Sequence, residues 1–155
     1  MKRIIHVPSQ VLEKTLVTLR EAGNRDAERL VLWIGRTKGN FSVVSSVLIP
    51  EQIASVDFFR VPPNSMAQIV ATLREQRNII VAQVHSHPGE AFHSPADDKW
   101  ALISRVGALS IVLPRFALGV DKINFFTHAK LFVLSEHNSW IETPTQRSES
   151  DAYEY

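Results

Sequence analysis

No cysteine occurs in the 155 residues. That absence removes disulfides, thiolate metal ligands and a cysteine nucleophile together, and it fits a reducing cytoplasm. An excess of one charge is also missing. Seventeen basic residues stand against 16 acidic ones, and a net charge of +1 gives no reason to expect nucleic acid or an anionic membrane as a partner. No hydrophobic run approaches the roughly 20 residues of a membrane span. The stretch Met1 to Pro8 carries basic residues but too short an apolar segment for a signal peptide. Several catalytic signatures are lacking as well. There is no His-Glu-x-x-His for a zincin, no Pro-Cys-x-x-Cys for a zinc deaminase and no Gly-x-Ser-x-Gly for a serine hydrolase. What is left, 45% hydrophobic and 21% charged residues, is the balance of a soluble globular chain of one-domain length.

The elements alternate along the chain. Arg3 to Val7 reads as a short strand, and Ser9 to Ala22 carries a helical stripe at Leu12, Leu16 and Leu19 that stops at Gly23. Arg29 to Ile34 is a nearly unbroken apolar run, as for a strand covered on both faces. The Thr37-Lys38-Gly39-Asn40 turn then leads into a partner strand over Phe41 to Ile49. Pro50 to Pro63 reads as irregular. Asn64 can cap a second helix with Met66, Ile69, Val70 and Leu73 on one side. Asn78 to Val84 reads as a buried central strand. Ser94 as N-cap and Pro95 at the first position predict a third helix to about Val106. Strands are predicted over Ala108 to Leu113, Lys122 to Phe126, Leu131 to Leu134 and Ser139 to Glu142. Thr143 to Tyr155 is polar and reads as a flexible tail. The predicted fold is a single α/β domain of the α+β type over residues 1–142, a mixed sheet flanked by helices.

The chemistry concentrates where the central strand ends, at His85-Ser86-His87-Pro88 and then Ser94-Pro95-Ala96-Asp97. Histidines at i and i+2 of an extended strand project to the same side, and a carboxylate ten residues on can fold back toward them. A bare His-x-His is most often surface decoration or a satisfied pair. Two imidazoles and one carboxylate, however, leave the fourth corner of a tetrahedral zinc open for water, the pattern of a catalytic site. Such chemistry also needs a group to accept a proton and pass it to the leaving amine. The candidate is Glu28, just ahead of the apolar run, where poor solvation raises a carboxylate's pKa toward the range useful to a base.

These residues resemble the pattern of the JAMM (JAB/MPN-type) metalloproteases: a glutamate opening an early strand, His-Ser/Thr-His-Pro, then Ser-x-x-Asp. Glu28-Arg29-Leu30-Val31-Leu32-Trp33-Ile34-Gly35 is similar to the first part and His85 to Asp97 to the rest, and the element order agrees over about residues 1–142. The resemblance implies an MPN/JAB (cytidine-deaminase-like) architecture. It also implies one zinc per chain on His85, His87 and Asp97, Glu28 as general acid/base, and Ser94 as a hydrogen-bond donor to the oxyanion. The loop Pro88 to His93 is one residue shorter than in the family, so Ser-x-x-Asp selects Asp97 while counting from His85 selects Asp98. Asp97 is preferred because it lies in the first helical turn behind the Ser94 cap. His93, beside Ser94, reads as a solvent-exposed loop histidine, with contact to substrate or metal as the alternative, and His6, His128 and His137 have no partner by spacing. Through His-Ser-His-Pro-Gly-Glu-Ala-Phe-His-Ser-Pro the chain resembles the stand-alone bacterial members, associated with ubiquitin-like conjugation and antiphage operons. The implied activity is an isopeptidase or peptidase cutting after the glycine tail of a ubiquitin-like protein, with E1-like or E2-like operon partners. The loop around Val56, Phe58 and Phe59 either covers such a tail or tucks aromatics into the core. A peptidase for a sulfur-carrier or small cysteine adduct, and a non-catalytic MPN scaffold, are the alternatives.

Overall fold

The alternation of side chains along one strand organises the protein. In the computed structural model, which describes residues 2–95, 97 and 102–155, strand β2 (Leu30–Lys38) is buried on both faces over its first six residues. Val31 and Trp33 join one core with Leu12, Leu16 and Leu19 of helix α1 (Ser9–Gly23). Leu30, Leu32 and Ile34 join a second core with Leu73 of helix α2 (Pro63–Glu75). Neighbouring residues of a strand point to opposite faces, so α1 and α2 cover opposite sides of the sheet. The result is an α+β fold.

Nine strands make the main sheet among the described residues, in the order β10-β11-β1-β3-β2-β6-β7-β8-β9. The further members are β1 (Ile4–His6), β3 (Phe41–Leu48), β6 (Ile79–Ser86), β7 (Leu109–Leu113), β8 (Lys130–Leu134), β9 (Trp140–Thr143), β10 (Gln146–Glu149) and β11 (Ala152–Glu154). The pairs β1–β3 and β6–β7 are parallel and the others antiparallel. Strands β9 and β10 lie at opposite ends of that order, yet only Pro144 and Thr145 separate them. Three Cα steps reach about 11 Å at most, so the sheet curls until its two edges approach. A bulge at Ile34/Gly35 bends β2 against β3. A Cβ on Gly35 would stand 1.9 Å from the Val43 carbonyl oxygen, which is why glycine occupies the bend.

Five expectations need correction. The segment from Thr143 is not a loose tail. β11 pairs with β1, burying Ala152 and Tyr153, and the Tyr153 ring lies 4.1 Å from that of Phe126. The stretch 122–126 is not a strand. The Asp121 carboxylate accepts the backbone N–H groups of Ile123 and Asn124, and that turn leads into the short helix α3 (Phe125–His128). The third helix does not run to Val106, because residues 102–106 are turn and irregular backbone, while Pro95 and Asp97 are helical; residues 96 and 98–101 lie outside the described set. Helix α2 begins at Pro63 with Pro62 as its cap, so Asn64 lies inside the first turn. The irregular Pro50–Pro63 segment contains a two-stranded ribbon, β4 (Ile53–Ala54) with β5 (Phe59–Arg60).

Candidate metal centre

Register brings the chemistry together. Leu30 pairs with His85 across β2 and β6, so the two side chains share a face. The chain ahead of β2 then runs beside the residues that follow β6. Ser86 N–H donates to the Arg29 carbonyl, Arg29 N–H donates to Ser86 Oγ, and Glu28 N–H donates to the Ser55 carbonyl beside the β4–β5 ribbon. Glu28 therefore arrives at the level of His87, buried at 2% exposure. His87 is fixed from the other side by its N–H bond to the Leu113 carbonyl at the end of β7.

Asp97 is delivered by a cap. Ser94 Oγ accepts the Asp97 N–H at 3.1 Å, and the Asp97 carboxylate accepts the Ser94 N–H at 2.7 Å. This is a reciprocal capping arrangement with aspartate in the place of the usual glutamate. The cap turns the carboxylate toward the histidines, with Oδ1 at 3.2 Å from His85 Nε2 and Oδ2 at 3.1 Å from His87 Nε2. The two Nε2 atoms are 3.3 Å apart. All three residues are buried, and among the described residues they form a group able to hold a metal ion.

With Asp97 ionised, no arrangement of the ring protons satisfies this triangle alone. Burial disfavours the Asp97 charge, but hydrogen bonds from His85 and His87, the His85 charge and the Ser94 N–H together hold its carboxyl well below the usual range. An ionised carboxylate only accepts, so each Nε2 facing it must donate. Two donors then face each other at 3.3 Å. Making either Nε2 an acceptor sets it against the carboxylate instead. A cation at the centre makes all three groups acceptors of one charge and removes the conflict. His85 is suited to it, because burial pushes the ring below its ordinary pKa against the opposing pull of Asp97 and so favours the neutral, ligating form.

Glu28 has the environment of a proton carrier. Burial first, then the negative charges of Asp97 and Asp57, raise its pKa from 4.5 to about 8. Its Oε2 has no hydrogen-bond partner among the described residues. The surrounding wall is aromatic. Phe59 is buried with its ring 5.0 Å from that of His85, and Phe92, half exposed, sets its edge on His87 at 4.6 Å. Of the aromatics in the 50–63 loop, Phe59 enters the core, while Phe58, like Val56, stays exposed, at 38% and 49%. His93 is not a solvent-exposed loop residue. It is half-buried, with Trp140 at 5.0 Å and Phe132 at 5.3 Å between ring centres. Nothing in the spacing of His93 announced those partners, which come from strands about 40 residues later in the chain. Asp98 lies outside the described residues.

No family model matches the chain. It is 30% identical over 147 residues to the probable metalloprotease y4jG of Sinorhizobium fredii, covering 92% of this chain and 89% of that protein. Among solved structures, that of protein DSY2949 from Desulfitobacterium hafniense superposes with a TM-score of 0.67 at 21% identity, over 90% of each chain. A protein from Salinibacter ruber gives 0.59 at 17% identity, over 92% of this chain and 90% of its own. At those identities the two structures speak for the fold alone. No helix among the described residues is long and apolar enough to cross a membrane.

Proposed function

Because the chain belongs to the same family as the probable metalloprotease y4jG, we propose that it is a zinc-dependent peptidase of the JAMM type, cutting after the glycine tail of a ubiquitin-like protein. The observation that carries the reading is the buried triangle of His85, His87 and Asp97, whose contacts conflict with Asp97 ionised unless a cation joins them. Zinc bonds of about 2.0–2.2 Å to nitrogen and oxygen at tetrahedral angles separate ligand atoms by about 3.3–3.5 Å. The 3.1, 3.2 and 3.3 Å contacts lie close to that, and a donor set of two imidazoles and one carboxylate leaves a position open.

A zinc ion held there supplies Lewis acidity, polarising a carbonyl and acidifying water. The remaining work belongs to the chain. Glu28, with a pKa near neutrality, accepts a proton and delivers it to the leaving amine. Ser94 accepts the Asp97 N–H through its oxygen and keeps its own hydroxyl proton to donate to the oxyanion. Phe59 and Phe92 lower the local dielectric, which strengthens both effects. The ubiquitin-like substrate, the E1-like or E2-like partners and the antiphage setting rest on the resemblance to stand-alone bacterial members; the lack of cysteine supports a cytoplasmic location.

The test is elemental analysis of the purified protein, paired with cleavage of a ubiquitin-like protein extended beyond its terminal glycine. One zinc per chain and chelator-sensitive cleavage that Glu28→Gln abolishes are expected. Zinc without cleavage would move the substrate toward a sulfur-carrier or small cysteine adduct. A chain that takes up no metal would be a scaffold, and the peptidase reading would fall.

A further inference from the structure

Glu28 forms part of the wall of a pocket of about 200 Å³. That is below the roughly 300 Å³ at which sites for drug-sized ligands begin, so it suits one small group. Arg25, Arg29 and Gln52 are the other polar residues of the wall, with Ala22, Ala27 and Ala54 between them. The wall stands on fixed backbone. The N–H groups of Arg25 and Ala27 both donate to the Ala22 carbonyl, which closes helix α1 and sets Arg25 beside the chain ahead of β2. Ser86 holds Arg29 at both its N–H and its carbonyl. The Gln52 amide bridges the N–H and carbonyl of Leu30, at 2.8 and 2.9 Å.

Two charged side chains of this wall carry atoms without a partner. Arg29 Nε and Glu28 Oε2 are both buried, and neither has a hydrogen-bond partner among the described residues. Neighbours along an extended chain point to opposite sides, so the two do not satisfy each other. A buried guanidinium N–H left unpaired is costly, and an incoming acceptor removes that cost. With Arg25 beside it, the wall sets two positive charges against the one negative charge of Glu28 and favours an anionic guest. A planar carboxylate fits the guanidinium fork. The reaction says where such a group would come from. The Asp97 charge acts on Glu28, which also walls this pocket, so Glu28 stands where the candidate metal centre and the pocket meet. The amine that receives its proton is two bonds of about 1.5 Å from its own α-carboxyl carbon, and an acidic side chain is one or two bonds longer. We propose that Arg25 and Arg29 bind a carboxylate carried by the leaving residue, the one that departs with the amine. The proposal rests on the peptidase reading above.

The test uses ubiquitin extended beyond its terminal glycine by one residue: alanine as the free acid, alanine as the amide, or aspartate as the amide. An acidic extension should be removed with a kcat/KM at least about tenfold above that of the alanine amide, the scale of one hydrogen bond to a charged group. A gain for the free acid alone would identify the α-carboxylate as the bound group, and a gain for the aspartyl amide alone an acidic side chain. Arg25 is exposed, so Arg25→Glu should fold, and it should reverse the preference. Arg29→Gln should bring the ratio close to one. Propionate and propionamide, titrated into metal-free protein dialysed clear of chelator, give a readout that needs no turnover. The Arg29 Nε–H resonance, assigned with Arg29→Lys, should move at propionate concentrations at least about tenfold below those of propionamide. Equal cleavage of the three proteins, a preference that survives Arg25→Glu, or an Arg29 signal indifferent to propionate would overturn the proposal. The two readings fail separately. Equal, chelator-sensitive cleavage would remove the carboxylate site and keep the peptidase, while propionate binding at Arg29 without any such cleavage would do the reverse.

Discussion

Replacing Glu28 by glutamine separates catalysis from stability, because the same burial that tunes this carboxylate makes it costly. The group sits at 2% exposure with one oxygen unpartnered, and its pKa rises from 4.5 to about 8 through burial first, then Asp97 and Asp57. A carboxyl raised in the folded state stabilises below its unfolded pKa, and that contribution is lost as pH climbs through the folded value. For the metal-free protein the loss therefore runs from about pH 4.5 to about 8. At about 1.4 kcal/mol per pH unit it accumulates to roughly 5 kcal/mol as an upper bound. The amide introduced by Glu28→Gln has nothing to ionise, so the metal-free variant should gain on wild type across that window. Urea midpoints of both proteins from pH 4.5 to about 8.5, with chelator present, read the difference directly. Bound metal offsets the Asp97 charge, so in the loaded protein the slope should shrink. Turnover should fall by about 10²–10⁴ with metal content unchanged, the usual scale for a lost acid/base group. A pH-independent gap between the two proteins would refute the desolvated carboxylate, and wild-type turnover in the variant would refute its role.

Other perturbations follow from the same packing. His85→Ala removes one corner of the triangle and should lose both metal and cleavage; stoichiometric metal in that variant would show that His85 is not a ligand. Asp97→Asn should lose metal too and, because the Asp97 pKa is lowered in the fold, should abolish stability that wild type has at neutral pH and loses as pH falls below about 4. Tyr153→Ala opens a cavity where β11 meets Phe126 and should cost about 3 kcal/mol. Denaturation midpoints unchanged by that substitution would mean the last strand is dispensable. Gly35→Ala drives a methyl into the Val43 carbonyl and should be destabilising by more than about 1 kcal/mol, measured the same way.

The site was legible because its parts are local in sequence or fixed by register. His85 and His87 share a face by strand period, and Ser94 with Asp97 is a helix cap whatever else surrounds it. Glu28 could be placed only through the apolar run that follows it, whose first residue pairs with His85. What escaped was decided by partners remote in the chain. Gln146 to Glu149 is exposed at every position because β10 is an edge, so no alternation of polar and apolar residues marks it as a strand. Ala152 to Glu154 is only three residues long, and its value lies in covering β1 about 150 residues earlier. The aromatics of 125–126 and 132 looked like strand or core residues alike, since periodicity cannot say which wall a ring will join. His93 shows the consequence for function. Its neighbours in sequence mark it as loop, whereas Trp140 and Phe132 make it part of a wall. Motif residues carry their geometry with them; a cavity lined by 93, 103–104, 134 and 138–140 exists only once β8 and β9 have joined the sheet. The candidate metal ligands are therefore the part of this protein that a sequence reveals first, and the walls around them are the part that the fold adds.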